Sequence, residues 1–242
     1  MDKPLPVHIL STRALGNGAR DFIHHKNWVV DIVSMIETHG VITVDQIAAF
    51  MHACKESGEN HLLLFSSENA VKWLKWGLDK FGFKLPVGLN AVCVGKKTSD
   101  TAAEWLSVEP IHFEKNSEAL LKKLKEHFPV GNSFSFFCGN KRLDTLPHGL
   151  REAGYEVEEY LVYKTELTPH KTIREYEAVL FFSPSAVESY FMVNFWDTKM
   201  VAVSIGRTTF EALKKAGVQT ILLADEPNES AMLAKLHEYL KE

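Results

Sequence analysis

The sequence predicts an α/β protein built on two mostly parallel sheets, and three observations predict it. Short apolar runs alternate with longer stretches of helical period, the pattern of parallel strands covered by helices on both faces. The chain has 242 residues, beyond the usual size of one domain. It also echoes itself: Phe65-Ser-Ser-Glu-Asn-Ala-Val71 returns as Phe182-Ser-Pro-Ser-Ala-Val187, and Ala91-Val-Cys-Val-Gly-Lys-Lys-Thr98 as Ala202-Val-Ser-Ile-Gly-Arg-Thr208. A period of about 115 residues is too long for a solenoid and points to two related domains facing one another, with a ligand cleft between them.

In chain order, strands are expected at 7–11, 28–34, 62–66, 91–95, 108–113, 133–138, 157–165, 179–183, 200–205 and 219–224. Ten strands fit two sheets of about five better than one open sheet. Amphipathic stretches at 69–81, 117–128, 143–153 and 229–240 repeat their apolar residues at three and four, and each would cover a sheet face. Trp73 and Trp76, with Leu74, Leu78 and Phe81, read as a packing stripe. The run Gly16-Asn-Gly-Ala-Arg-Asp21 imitates a dinucleotide fingerprint without its third glycine and reads as a turn, with His24 and His25 in an irregular segment.

Composition narrows the class. Hydrophobic residues make up 45% and charged residues 24%, so the chain folds and buries a core. A net charge of −4 gives no global field for nucleic acid or an anionic membrane, and an anionic ligand must find local positive charge. Residues 1–6 lack a basic stretch leading into a long apolar run, and no transmembrane-length apolar stretch follows. Cys54, Cys93 and Cys138 are odd in number and widely spaced, which suits a reducing compartment. The expectation is a soluble, cytoplasmic protein.

Loops after the carboxyl ends of parallel strands carry chemistry, because helix N-termini present free backbone N–H groups there. The candidates in those loops are Ser66 and Ser67; Gly95, Lys96 and Thr98; Gly139, Asn140, Lys141 and Arg142; Ser183, Pro184 and Ser185; and Gly206, Arg207, Thr208 and Thr209. Arg13 follows the first strand, and Lys97 and Lys164 add to the local cationic character. Hydroxyls, glycines and positive charge at helix starts favour carboxylate or phosphate. Each hydroxyl also has a plainer reading as a helix cap: Thr101 precedes Glu104, Ser185 precedes Glu188 and Thr208 precedes Glu211 at capping-box spacing. Gly95 and Gly206 are either turn formers or points of close ligand approach.

No phosphate loop, nucleophile elbow or zinc-binding helix pattern is present, and no metal site is legible. Tyr163 closes a strand just before Lys164 and Thr165. A phenol with a pKa of about 10 can donate a proton at neutral pH. The other reading of Tyr163 is a residue packed at a domain hinge.

Phe137-Cys-Gly-Asn-Lys-Arg142 with Leu146-Pro147, Tyr155 to Thr165 ending in Val-Tyr-Lys-Thr, Phe181-Phe-Ser-Pro-Ser-Ala186, Ile205-Gly-Arg-Thr-Thr209 and Ala224-Asp-Glu-Pro227 occur in an order that, with Phe65-Ser-Ser67 and Val94-Gly-Lys-Lys-Thr98, resembles the uroporphyrinogen-III synthase family over nearly the whole chain. The resemblance implies two flavodoxin-like, doubly wound parallel-sheet α/β domains joined by a two-stranded antiparallel linker. It implies a discontinuous domain of residues 1–37 and 167–242, an inserted domain of 38–166, and hinge strands near 35–38 and 163–167. The sequence departs from the family after Ser11-Thr-Arg13, where residues 14–26 are short and polar.

It further implies a cofactor-independent lyase that closes hydroxymethylbilane to uroporphyrinogen III in haem biosynthesis. Water is lost, the last ring attacks through its substituted carbon, and a spiro intermediate recloses with that ring reversed. Tyr163 would be the proton donor and Thr98, Thr208 and Thr209 cleft contacts, with the basic loops and helix starts holding carboxylates in a monomer. The alternative is a non-catalytic two-domain protein that binds a tetrapyrrole or other polycarboxylate. A flavodoxin-like signalling or nucleotide-binding protein is a more distant rival, lacking an acidic phosphoacceptor pocket or phosphate loop.

Overall fold

The computed structural model describes residues 6–26 and 28–241, so the expectation drawn from the amino terminus falls largely on residues 1–5, outside the described ones. Among the described residues the chain forms eleven strands and nine α-helices and divides into two compact units. The first comprises Met1–Glu37 and Glu166–Glu242, the second Thr38–Thr165.

The first unit contains β1 (Val7–Ser11), α1 (Asn17–His24), β2 (Trp28–Ile32), β9 (Ala178–Phe181), α7 (Pro184–Phe191), β10 (Val201–Ser204), α8 (Arg207–Lys215), β11 (Ile221–Leu223) and α9 (Glu229–Tyr239). Its sheet has the order β11-β10-β9-β1-β2, and every pairing is parallel. β9 and β10 are buried at every position, as strands covered on both faces must be; β9 reads as a continuous apolar run and β10 as one that ends on the buried Ser204.

The second unit contains α2 (Val44–Ser57), β4 (His61–Phe65), α3 (Glu68–Phe81), β5 (Asn90–Val94), α4 (Lys96–Leu106), β6 (Glu109–Glu114), α5 (Ser117–His127), β7 (Ser133–Gly139) and α6 (Thr145–Glu152). Two strands cross the boundary between the units: β3 (Ile36–Gly40) and β8 (Glu156–Leu167). The sheet order is β3-β8-β7-β4-β5-β6, with β4 to β8 paired in parallel. An α/β fold with parallel sheets is therefore the observed class.

Leaving β3 aside, the two sheets have one order. β8-β7-β4-β5-β6 matches β2-β1-β9-β10-β11 strand for strand, with the chain entering at a different point. The internal echo is this correspondence: Ser67 caps α3 after β4 by accepting from Ala70 N at 3.3 Å, and Ser183 caps α7 after β9 by accepting from Ala186 N at 3.1 Å. Gly95 and Gly206 likewise open α4 and α8. In each sheet the connections leave in opposite directions from two central strands, β7 and β4 or β1 and β9, and the gap above that pair is where ligands of such sheets bind.

Three expectations need correction. Gly16 to Asp21 is not a turn: α1 starts there, because Ala19, Phe22 and Ile23 form an apolar face packed on the core. His24 is its last residue. Thr101, Ser185 and Thr208 do not cap helices, since α4, α7 and α8 begin earlier, at Gly95, Ser183 and Gly206; Thr101 lies inside α4 with its hydroxyl donating to Lys97 O at 2.8 Å. β3, an eleventh strand, is absent from the ten read by periodicity, because its five residues mix polar and apolar types.

The tryptophan stripe is a packing stripe. Trp73 and Trp76 lie against the core of the second unit, and a Cβ on Gly40 would come within 2.7 Å of ring carbons in both. No helix among the described residues is long and apolar enough to cross a membrane.

Candidate active site

A cavity of about 200 Å³ opens above β7 and β4 in the second unit, at the place where the strand order reverses. It is lined by Ser66 and Ser67 after β4, by Gly139, Lys141, Arg142 and Leu143 after β7, by Leu146 of α6, and by Phe136, Ser117 and Tyr163. Six expected site residues thus meet here: Ser66, Ser67, Gly139, Lys141, Arg142 and Tyr163.

Tyr163 does not end its strand but lies inside β8, which runs to Leu167. It pairs in register with Gly139, and a Cβ at Gly139 would overlap the phenol ring, so glycine is the residue that seats the ring there. Its hydroxyl lies 3.3 Å from Ser67 Oγ. Burial raises the Tyr163 pKa above the ordinary tyrosine value and outweighs the opposing hydrogen bond from Ser67, so the phenol keeps its proton at neutral pH.

Arg142 is held on two sides, by Nη1 to Asp144 Oδ1 and by Nε to Glu159 Oε2, each at 2.5 Å. Glu159 also receives Arg151 Nη1 at 2.8 Å, so one carboxylate ties β8, the loop and α6 together. Burial disfavours the charge on Arg142, but its acidic neighbours outweigh that and raise its pKa. Asn140 is tied to the backbone of β8: its Oδ1 accepts from Thr165 N at 2.8 Å and its Nδ2 donates to Thr165 O at 3.3 Å.

The remaining expected residues stand elsewhere. Gly95, Lys96 and Thr98 start α4 after β5; Lys96 pairs with Asp100 at 2.8 Å, Lys97 with Glu68 at 3.0 Å, and Thr98 is buried. In the first unit, Arg207 pairs with Glu211 at 2.9 Å, Thr208 is exposed and Thr209 is buried at the start of α8 behind Gly206. Pro184 and Ser185 form the first turn of α7, and Ser183 is its cap. Arg13 places its guanidinium 4.2 Å from the Phe182 ring centre and meets Glu229 Oε1 at 3.0 Å. The pairs of Lys96, Lys97 and Arg207, whose cations are exposed, are weak, whereas Glu229 is largely buried against Arg13.

Burial drives the thiol pKa values to about 12 for Cys54 and Cys93 and to about 11 for Cys138. All three are free, buried and chemically quiet.

A family model described as Uroporphyrinogen-III synthase HemD matches residues 23–234. The chain belongs to the uroporphyrinogen-III synthase family. The function that goes with the family is uroporphyrinogen-III synthesis, a step of porphyrin and haem biosynthesis, and the match carries it to this chain.

Solved structures agree on the fold. The uroporphyrinogen-III synthetase of Helicobacter pylori is 17% identical with a TM-score of 0.65, over 97% of this chain and 99% of that one. A triple mutant of the Thermus thermophilus uroporphyrinogen III synthase is 20% identical with a TM-score of 0.68, over 98% and 100%. The wild-type form of that synthase is 19% identical with a TM-score of 0.53, over 97% of each chain.

Sequence reasoning missed Ser117, Phe136, Leu143 and Leu146 as lining residues and Glu159 as the partner of Arg142. Leu146 stood inside a recognised motif and Ser117 at a recognised helix start, but only the strand order brings them to the same cavity.

Proposed function

We propose that the chain cyclises hydroxymethylbilane to uroporphyrinogen III with loss of water and inversion of the last ring, as a cofactor-independent lyase acting as a cytoplasmic monomer. The observation that carries this reading is the seat of Tyr163 on Gly139, beside Ser67 and the Lys141–Arg142 loop, in one cavity of a uroporphyrinogen-III synthase family fold.

In this reading Tyr163 gives its proton to the terminal hydroxyl. The C–O bond breaks with its electron pair, water departs, and a cationic azafulvenium remains beside the phenolate. The far pyrrole attacks it through its substituted carbon, and the spiro intermediate fragments and recloses with the ring reversed. The proton lost when the ring regains aromaticity returns to the phenolate. Ser67 Oγ already accepts from the α3 amide of Ala70, at the positive end of that helix. Its own O–H is therefore best aimed at the Tyr163 oxygen, which leaves the phenol proton for the substrate and stabilises the phenolate that follows.

Substrate carboxylates would meet Lys141, Arg142 and the amide-rich helix starts, with Ser66 and Gly139 as close backbone contacts. Arg13, Gly95, Lys96, Thr98, Ser183, Ser185, Gly206, Arg207, Thr208 and Thr209 are proposed contacts on the other loops. The raised Tyr163 pKa implies activity that holds through neutral pH and falls only above the ordinary tyrosine value of about 10.

We read the two units as flavodoxin-like domains, 1–37 with 167–242 and 38–166 inserted, from the shared strand order. An antiparallel linker of β3 and β8 is supported by two backbone bonds, Val41 N to Val162 O and Thr168 N to Met35 O, each 3.0 Å. Six residues forward on one strand correspond to six backward on the other, as antiparallel pairing requires.

The test is to add purified protein to fresh hydroxymethylbilane, oxidise the products and separate the type I and type III isomers. Predominant type III is expected. Type I alone, at the spontaneous rate, would favour the non-catalytic binding protein.

A further inference from the structure

The two units differ at one pair of corresponding residues in a way that identifies what the cavity accepts. α5 and α9 are counterparts: each follows the last strand on its side of the sheet, and each packs on the helix after the first central strand, α6 or α1. Both begin with an asparagine cap. Asn116 Oδ1 accepts from Ala119 N at 2.9 Å, and Asn228 Oδ1 from Ala231 N at 2.8 Å. Leu120 and Leu124 of α5, and Met232 and Leu236 of α9, are fully buried at matching positions.

The residues behind the caps are exchanged. Asn116-Ser-Glu-Ala119 stands against Asn228-Glu-Ser-Ala231, so the first helical residue is Ser117 in one unit and Glu229 in the other. Glu229 reaches across to the loop after β1. Its Oε1 accepts from Arg13 Nη2 at 3.0 Å and its Oε2 from Gly16 N at 2.8 Å, which is how a bound carboxylate is held by a guanidinium and a helix-start amide. In the other unit the same helix position carries Ser117, which has no carboxylate to offer and lines an open cavity together with Lys141, Arg142 and Leu146.

We propose that Ser117 keeps open a recess that receives one substrate carboxylate, and that Glu229 fills the equivalent recess of the other unit with the chain's own carboxylate. The identity of the full ligand rests on the synthase reading; the recess itself does not. Arg142 and Lys141 take the part of Arg13, and the amides that open α6 take the part of Gly16 N.

The test exchanges the two residues without changing net charge: Ser117→Glu with Glu118→Ser closes the recess, and Glu229→Ser with Ser230→Glu opens its counterpart. In the full-length protein, glutarate serves as a carboxylate probe and backbone amide shifts report its site. Wild-type protein should show saturable shifts at Ser117, Gly139, Lys141 and Arg142. The first exchange should abolish them, and the second should add a new set at Arg13 and Gly16. With hydroxymethylbilane, the first exchange should raise KM about 10-fold or more, because a tethered carboxylate competes at millimolar effective concentration or above, with kcat changed less than about threefold.

Absence of shifts in the wild type, or unchanged glutarate binding after the first exchange, overturns the proposal. Should that exchange fail to fold, the second decides, since Arg13 and Gly16 either gain a glutarate response or do not. Glutarate shifts in this pattern from a wild type that makes no type III product would keep the recess and remove the synthase reading.

Discussion

The two units place the same five-strand order under different chemistry. Above β7 and β4 lies an open cavity, with a tyrosine on a glycine and a basic loop at its edge. Above β1 and β9, Arg13 lies on Phe182 and is bound by Glu229. At the end of the first central strand, Gly139 pairs with Tyr163 in one unit while Ser11 pairs with Ile32 in the other. A shared fold therefore fixes where a site can be, and a few side chains set what each such place holds.

The contrast can be broken most severely at Gly139. Gly139→Ala forces the Tyr163 ring aside, and turnover should fall on the order of 10- to 100-fold as a misplaced acid loses its line to the substrate. Stability should fall by about 1 to 3 kcal/mol through overpacking. Single-turnover rates and urea denaturation measure both, and a near-normal rate would show that the ring's seat does not matter.

Glu229→Gln sharpens the contrast from the other side. Losing the charge that ties Arg13 and Gly16 should destabilise the chain by about 1 kcal/mol, since the pair is only partly exposed, and the loss should shrink as salt is added. Denaturation at low and high salt reads it.

The smallest effect concerns acid stability. His61, at the start of β4, is 3% exposed and bridges Ser133 and Ser135 Oγ at 2.8 and 2.9 Å; β9, the counterpart of β4, has no histidine. Burial holds the imidazole below its ordinary 6.5, against the pull of Glu158. With the folded value depressed, the unfolded chain takes up the proton first. Stability is whole above about pH 6.5 and declines as pH drops below it toward the folded value. His61→Gln should flatten the decline of Tm between pH 7 and 5, and an unchanged slope would assign the acid sensitivity to other groups.

The core strands were legible because burial on both faces leaves an unbroken apolar run, as in β4 and β9. β3, short and mostly polar, was not readable from periodicity and came only from the family resemblance, which put a hinge strand near 35–38; α1 was not readable, because its helix depends on packing against the core rather than on local propensity. The misplaced capping boxes share one cause: each helix is capped within two residues of its strand's end, so the expected cap lies already inside it. For the site, the positions of Ser67, Gly139, Lys141 and Arg142 were readable, since they stand at or just after strand ends, while Tyr163 was singled out as a strand end and lies inside β8. Which loops meet depends on strand order, which residue spacing does not encode. The exchange of Ser117-Glu118 for Glu229-Ser230 was not read from the sequence, because it takes meaning only once α5 and α9 are recognised as counterparts.

The most direct test of the asymmetry compares Tyr163→Phe with Arg13→Gln for the rate of type III formation from hydroxymethylbilane. The expected result is a loss on the order of 10²-fold or more for Tyr163→Phe and under about tenfold for Arg13→Gln, with type III still the main product of the latter. A loss under about threefold for Tyr163→Phe, or a greater loss for Arg13→Gln, would contradict it.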